Sequence, residues 1–362
     1  MILAPLRGVT IRCFREVFAE QIREAGFTEA ITPFLSANPG FDPLKDRELA
    51  NVPHRGTKTQ SISSVPSRHS LRSACSLPPG SRTPSRGGYV ALCDKIKITP
   101  QFIGKDPGSL RACLLRIKEA GYDTADLNCG CPYPMVRNKG RGSGLLRTPA
   151  VLEKMIAVGC ETMGEGKFSV KTRLGFDKND ELLALMPMLN SFPLRFLTVH
   201  ARNARQMYGG ECDWESFKKV AAVAKMPIVP NGDLPLQPSA AQCDQNCGSE
   251  SSHRGTETQS IISVPSVALC AQNCESETSH RGTKTQRVMI GRAFIRQLGM
   301  RDDIDELLSR YIDASSAELC GPSPVLGRMK ELIAYWKDLP RWKRLWPVIK
   351  IARTLDELRL AY

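Results

Sequence analysis

The stretch Thr124-Ala125-Asp126-Leu127 runs straight into Asn128-Cys129-Gly130-Cys131-Pro132. A short apolar run that breaks into Asn, Cys, Gly and Pro reads as a buried parallel strand whose C-terminal end opens on a loop. The same reading applies at Ile2-Leu3-Ala4, Ala30-Ile31-Thr32, Ile98 to Ile103, Phe168 to Arg173, Phe196 to His200, Pro227 to Pro230 and Val288 to Ile290. Helical stretches lie between most of these strands. In Gly108 to Ala120, Leu110, Cys113, Leu114 and Ile117 fall on one helix face. Pro149 opens the stretch to Met163, where its missing N–H costs nothing. Alternating βα units in this number predict an α/β fold, a (β/α)8 TIM barrel with its chemistry on the loops after the strands.

Polar residues gather at those strand ends: Gln101, Asn128, Cys131, Lys171, His200, Asn231, Asp233 and Arg292. From about residue 301 the pattern becomes wholly helical. Met329, Leu332, Ile333 and Trp336 share one face, and Leu345, Val348, Ile349 and Ala352 share another. Residues 328–353 carry eight Lys/Arg against two Asp/Glu, and three of the four Trp. An amphipathic bundle with a solvated basic face gives this pattern, and so does a platform for a phosphate backbone. The expected organisation is a barrel over 1–300 and a small all-helical C-terminal domain over 301–362.

Two segments interrupt the barrel. The run His54 to Ser67 recurs as His253 to Ser266 with 12 of 14 positions identical, and Ala241 to Gln259 recurs as Ala268 to Gln286 with 14 identities in 19. The copies are rich in Ser, Thr, Gln and Gly and poor in large apolar residues, so they cannot bury enough surface to offset their ordering entropy. They read as low-complexity insertions at about 53–77 and 244–287, tolerated because loop closure costs grow slowly with length. The sets Cys243, Cys247, His253 and Cys270, Cys274, His280 fit no closed zinc motif, and no metal is expected.

The chain of 362 residues has a formal charge of +13, which points towards a polyanionic partner. Residues 51–93 hold six Arg/Lys and no Asp/Glu, so part of that charge belongs to the repeats. No apolar run is long enough to span a bilayer. The opening Met1-Ile2-Leu3-Ala4-Pro5 lacks a signal-peptide pattern, so the 13 cysteines are expected to be thiols in a cytoplasmic protein.

The motif Asp126 to Pro132 resembles that of the tRNA-dihydrouridine synthases, flavoenzymes that reduce uridine in tRNA. Leu3 to Thr10, Pro100 to Gly104, Ser169 to Gly175, Thr198 to Arg202, Asn231-Gly232-Asp233 and Val288 to Ala293 resemble the family's other strand ends in order. Gly327-Arg328-Met329-Lys330 and the basic helix after it resemble its helical domain. The resemblance covers nearly everything outside the insertions. It departs at Tyr133-Pro134-Met135-Val136, where small or polar residues are usual, and at Leu6, where Met is usual.

The resemblance implies flavin mononucleotide (FMN) as cofactor and NADPH as reductant, although the chain has no G-x-G-x-x-G fingerprint. Gly291 and Arg292 would take the phosphate, with Asn231, Gly232 and Asp233 completing the phosphate and ribityl side. Gln101 would bond the pyrimidine edge of the flavin, Lys171 its N1–C2 region, and Pro5, Leu6 and Arg7 would line its ring. Asn128 would orient uracil or flavin, and His200 would hydrogen-bond either. Cys131 is assigned the proton donated to uracil C5, opposite hydride delivery to C6, while Cys129 reads as a packed thiol. Lys139, Arg141 and Arg202 on pocket loops, and Arg328, Lys330, Lys337, Arg341, Lys343 and Arg344 in the tail, are the expected tRNA contacts. A monomer is expected. Two other readings remain open: a catalytically impaired relative that at most binds RNA, and a flavin barrel that reduces a free pyrimidine.

Overall fold

The computed structural model describes residues 1–49, 96–236, 287–319 and 321–362. The inserted repeats, their Cys/His sets and Ser239 to Cys243 lie outside the described residues.

Ten short strands occur in the described residues: β1 (Ile2–Leu3), β2 (Glu29–Ile31), β3 (Leu35–Ser36), β4 (Lys97–Thr99), β5 (Gln101–Ile103), β6 (Ala125–Cys129), β7 (Phe168–Gly175), β8 (Leu197–Asn203), β9 (Ile228–Asn231) and β10 (Met289–Ile290). All their pairings are parallel, in the orders β10-β1-β2-β4 and β3-β5-β6-β7-β8-β9. Two barrel strands are each split in two. Pro100 divides β4 from β5 because it has no N–H to donate. The break is bridged by Thr32, whose N–H donates to Thr99 O at 3.0 Å and whose Oγ1 accepts from Gln101 N at 3.0 Å. Counted so, the expected eight-stranded barrel is present. It closes where Ile2 pairs with Met289 and Leu3 with Ile290. The seam on the other side of β10 is different: β9 and β10 each end a sheet, and Asn231 Nδ2 bridges them by donating to Met289 O at 3.0 Å.

The helices wrap this ring. Pro107–Glu119 starts at Asp106, whose side chain accepts from Ser109 N, and buries the expected face Leu110, Cys113, Leu114 and Ile117. Pro149–Met163 packs beside it. After Leu298 come the tail helices Ile304–Glu318, Pro322–Ile333, Pro340–Ile351 and Leu355–Arg359. They share one apolar cluster with the barrel's outer wall, in which Tyr311 sits edge-on to Phe14 and Phe18. Trp336 donates to Ile295 O at 2.6 Å and Trp342 to Gly299 O at 2.7 Å, so both indoles anchor the tail to the last barrel helix, Arg292–Leu298. The Trp-rich stretch is therefore core at these two positions, 0 % exposed, and offers neither ring to RNA. No helix among the described residues is long and apolar enough to cross a membrane.

Candidate active site

The C-terminal ends of β5 to β8 converge on the loop that carries Cys131. A buried chain of side chains fixes that loop. Asp126 accepts from Ser169 Oγ at 2.6 Å and from Gln101 Nε2 at 2.7 Å. Gln101 Oε1 accepts from Asn128 Nδ2 at 2.8 Å, and Asn128 Oδ1 accepts from the N–H groups of Gly130 at 3.1 Å and Cys131 at 2.9 Å. Burial pushes the Asp126 carboxyl up to about 6. Asn128 is thus committed to positioning the Cys131 backbone, a nearer task than the expected contact with uracil or flavin. Gln101 keeps one amide N–H beyond these bonds.

Cys131 is 8 % exposed. Burial pushes its thiol above the ordinary value of 9.0, against the pull of the Tyr133 backbone and of Arg173, Arg7 and Lys171. Cys129 is fully buried, and its thiol is pushed higher still. Across the barrel, Lys171 Nζ donates to Asn231 Oδ1 at 3.0 Å. Burial and the neighbouring Arg173 bring Lys171 down to about 8. His200 is held neutral by burial and by Arg173, Lys171, Arg202 and Arg292, and its Nδ1 is buried without a hydrogen-bond partner.

The β9–β10 side is built from charges that already satisfy one another. Asp233 accepts from both Arg202 and Arg292. Gly232 has φ +147°, and a Cβ there would stand 2.7 Å from Cys212 Sγ, so glycine is required. Gly291 caps the helix that begins with Arg292. Pro5, Leu6 and Arg7 form the loop after β1. Leu6 N donates to Thr10 Oγ1 at 2.7 Å, and Arg7 lies 5.5 Å from the Phe34 ring centroid. Gly8, at φ +80°, leaves room for the tail's Glu331 to pack against this loop.

Some expected RNA contacts are corrected. Arg202 is 1 % exposed, donating to Gly209 O at 3.2 Å, Gly210 O at 2.6 Å and Cys212 Sγ at 2.9 Å as well as to Asp233, so it braces a loop. Arg328 donates to Glu318 at 2.7 Å, and Lys330 caps Pro340–Ile351 through Lys350 O and Ala352 O. Arg341 gives one guanidinium nitrogen to both Asp305 oxygens. Lys139, Lys337, Lys343 and Arg344 are exposed, and Arg141 is half-buried.

The family model described as dihydrouridine synthase matches residues 84–261. Over those residues, just under half of the chain, the sequence is similar to the dihydrouridine synthase family. It is 26% identical over 260 residues to the tRNA-dihydrouridine synthase B of Vibrio cholerae, covering 72% of this chain and 67% of that one. It is 29% identical over 250 residues to the tRNA-dihydrouridine(16) synthase of Shigella flexneri, covering 67% of each. A structure of the old yellow enzyme homologue from Zymomonas mobilis aligns at TM-score 0.46 and 12% identity, over 82% of this chain and 85% of that one. The dihydrouridine synthase match takes in β4 to β9 and stops short of Gly291 and Arg292.

Three groups at this candidate site were not singled out from sequence. Arg173 donates to Gly130 O at 2.8 Å, Asn203 O at 3.0 Å and Met207 O at 2.6 Å, tying the Cys131 loop to the loop after β8. Met207 is the non-glycine residue at positive φ (51°) among the described residues. It sets Tyr208 in the mouth, with ring centroids 6.2 Å from His200 and 6.4 Å from Tyr133. Tyr335, from the tail, is pushed up to about 12 by burial, with Tyr208, Glu331 and Tyr133 close by. Arg173 stood inside a quoted strand motif; nothing in the local pattern marked the two tyrosines.

Proposed function

We propose that this chain reduces uridine in tRNA to 5,6-dihydrouridine, with Cys131 as the proton donor. The observation that carries the reading is the buried Cys131, its backbone N–H held by Asn128, at the mouth of a barrel that the dihydrouridine synthase model matches over residues 84–261. Its relatives carry tRNA-dihydrouridine synthase in their names. A bound flavin mononucleotide, recharged by NADPH, supplies the hydride that enters uracil at C6.

The residues at the ring side fit such a cofactor. His200 has an orphaned Nδ1, Gln101 has a spare N–H, and Lys171 is a half-buried cation bonded to a neutral amide. Lys171 would face the ring's anionic edge. Asn231, Gly232, Gly291 and Arg292 would hold the phosphate end, where Arg292 would have to share itself between phosphate and Asp233.

Cys131 passes its proton to C5 as hydride reaches C6 on the opposite face. The thiol's raised value keeps it protonated at neutral pH, as an acid must be. The thiolate left behind lies in the field of Arg173, Arg7 and Lys171 and regains its proton from solvent. The test is to express the chain in cells that lack their own dihydrouridine synthases and to digest their tRNA for mass spectrometry. Uridine gaining two hydrogens at a defined position is expected; tRNA without dihydrouridine overturns the reading.

A further inference from the structure

Phe176, 3 % exposed, directly follows the β7 strand at the barrel mouth. Three guanidinium groups stand around its ring, with centroid distances of 4.9 Å for Arg147, 5.4 Å for Arg205 and 5.5 Å for Arg137. They come from separate places in the chain: the short helix Pro134–Arg137, the 3₁₀ turn Gly142–Arg147, and the loop after β8. Arg205 is paired with Asp177 at 2.6 Å. Arg137 donates to Ala204 O at 3.2 Å, leaving its Nε buried without a partner. Arg147 has no carboxylate within ion-pair distance among the described residues.

The attraction of one aromatic face for a cation does not offset crowding three like charges around it. The neighbouring acids are largely occupied. Glu181 accepts from the backbone N–H of Phe176 at 2.6 Å and of Lys178 at 3.0 Å, and Asp106 caps a helix; Asp180 stands outside these bonds. The cluster continues through exposed Lys139, through Arg141, whose Nε is buried and unpartnered, and to Lys105, packed 3.5 Å from a Cβ position at Gly140. The same segment touches Cys131 at Gly142.

We infer that Arg137, Arg147 and Arg205 around Phe176, continued by Lys139, Arg141 and Lys105, form a track for the RNA phosphate backbone that flanks the reacting base. The inference rests on the proposed function for its partner. Arginine forks suit phosphate oxygens, and uncompensated charge beside the mouth is neutralised when a polyanion arrives.

The test is binding of an unmodified tRNA transcript, without turnover, between about 50 and 200 mM salt. Arg147→Glu is expected to raise Kd by about tenfold or more and to make the slope of log K against log salt shallower by about 0.7–0.9. Arg147→Lys should recover most of the affinity, and Arg147→Gln should fall between. Lys154→Glu, the same charge change on the exposed face of the outer helix Pro149–Met163, should stay within about twofold of the parent. Equal weakening by Arg147→Glu and Lys154→Glu, or no change of slope with Arg147→Glu or Arg147→Gln, overturns the inference. A parent protein that binds tRNA through this track yet forms no dihydrouridine would overturn the proposed function and leave the track standing.

Discussion

The two sides of the barrel mouth are built by different means. From β5 to β8 the backbone ladders are continuous, and side chains add a second layer: Asp126 holds Gln101, Gln101 holds Asn128, and Asn128 and Arg173 hold the Cys131 loop. Between β9 and β10 the ring is joined by the Asn231 side chain, and beside it Arg202 and Arg292 share the single carboxylate of Asp233. The first side is pre-organised and holds its reactive group whether or not anything is bound. The second is a seam, whose geometry rests on a single amide that also holds Lys171.

The largest effect expected is on the ordered side. Cys131→Ala should lower dihydrouridine formation about 10²- to 10⁴-fold while flavin and tRNA binding persist. Cys129→Ala, in the same loop, should stay within about threefold in rate, as expected for a packed thiol. Equal losses in single-turnover assays of the two variants would erase the distinction between them.

At the seam, Asn231→Ala removes both bonds of one amide. Leaving a buried acceptor unpaired should cost about 1–3 kcal/mol in denaturant unfolding. Flavin retention should weaken by about tenfold, since about 1.4 kcal/mol is tenfold in affinity. Unchanged stability would mean that the seam is held by something other than this side chain.

The smallest effect concerns pH and joins the two sides. Lys171 titrates at about 8 in the fold, below its ordinary 10.5. Between these values the folded chain binds fewer protons than the unfolded one. Its stability contribution should therefore rise with pH over that window while activity falls as the cation is lost. Lys171→Met should flatten both trends. Activity that holds level well past pH 8 would remove Lys171's charge from the chemistry.

Much of the ring was legible because buried parallel strands are short apolar runs with polar ends. Phe168 to Arg173 and Val288 to Ile290 needed no tertiary knowledge. The split at Pro100 and the extra strand Leu35–Ser36 were not legible, since both follow from how two neighbours adjust register. At the site, Cys131 and Lys171 were picked out by the family resemblance and by their place in or after apolar strands, and the fold sets Cys131 on the loop after β6 and Lys171 within β7. Arg202, Arg328 and Lys330 misled because a cation near a pocket has the same sequence whether it faces solvent or caps a carbonyl. Trp336 lies in the core, as its place on an apolar face predicted, whereas the inward turn of Trp342 towards a backbone carbonyl was not legible. Tyr208 was invisible, being placed by the left-handed turn at Met207.

The pairing of Ile2 with Met289 has a consequence for synthesis. During synthesis β1 emerges well before β10, its partner, which follows the inserted repeats. Until then β1 presents unpaired backbone groups, the kind of edge that recruits other chains. Even after closure, the helix beginning at Arg292 waits for the indoles at 336 and 342 before its outer face is covered. Slowed translation through the repeats would therefore lengthen the interval of greatest aggregation risk without altering a single contact of the finished fold.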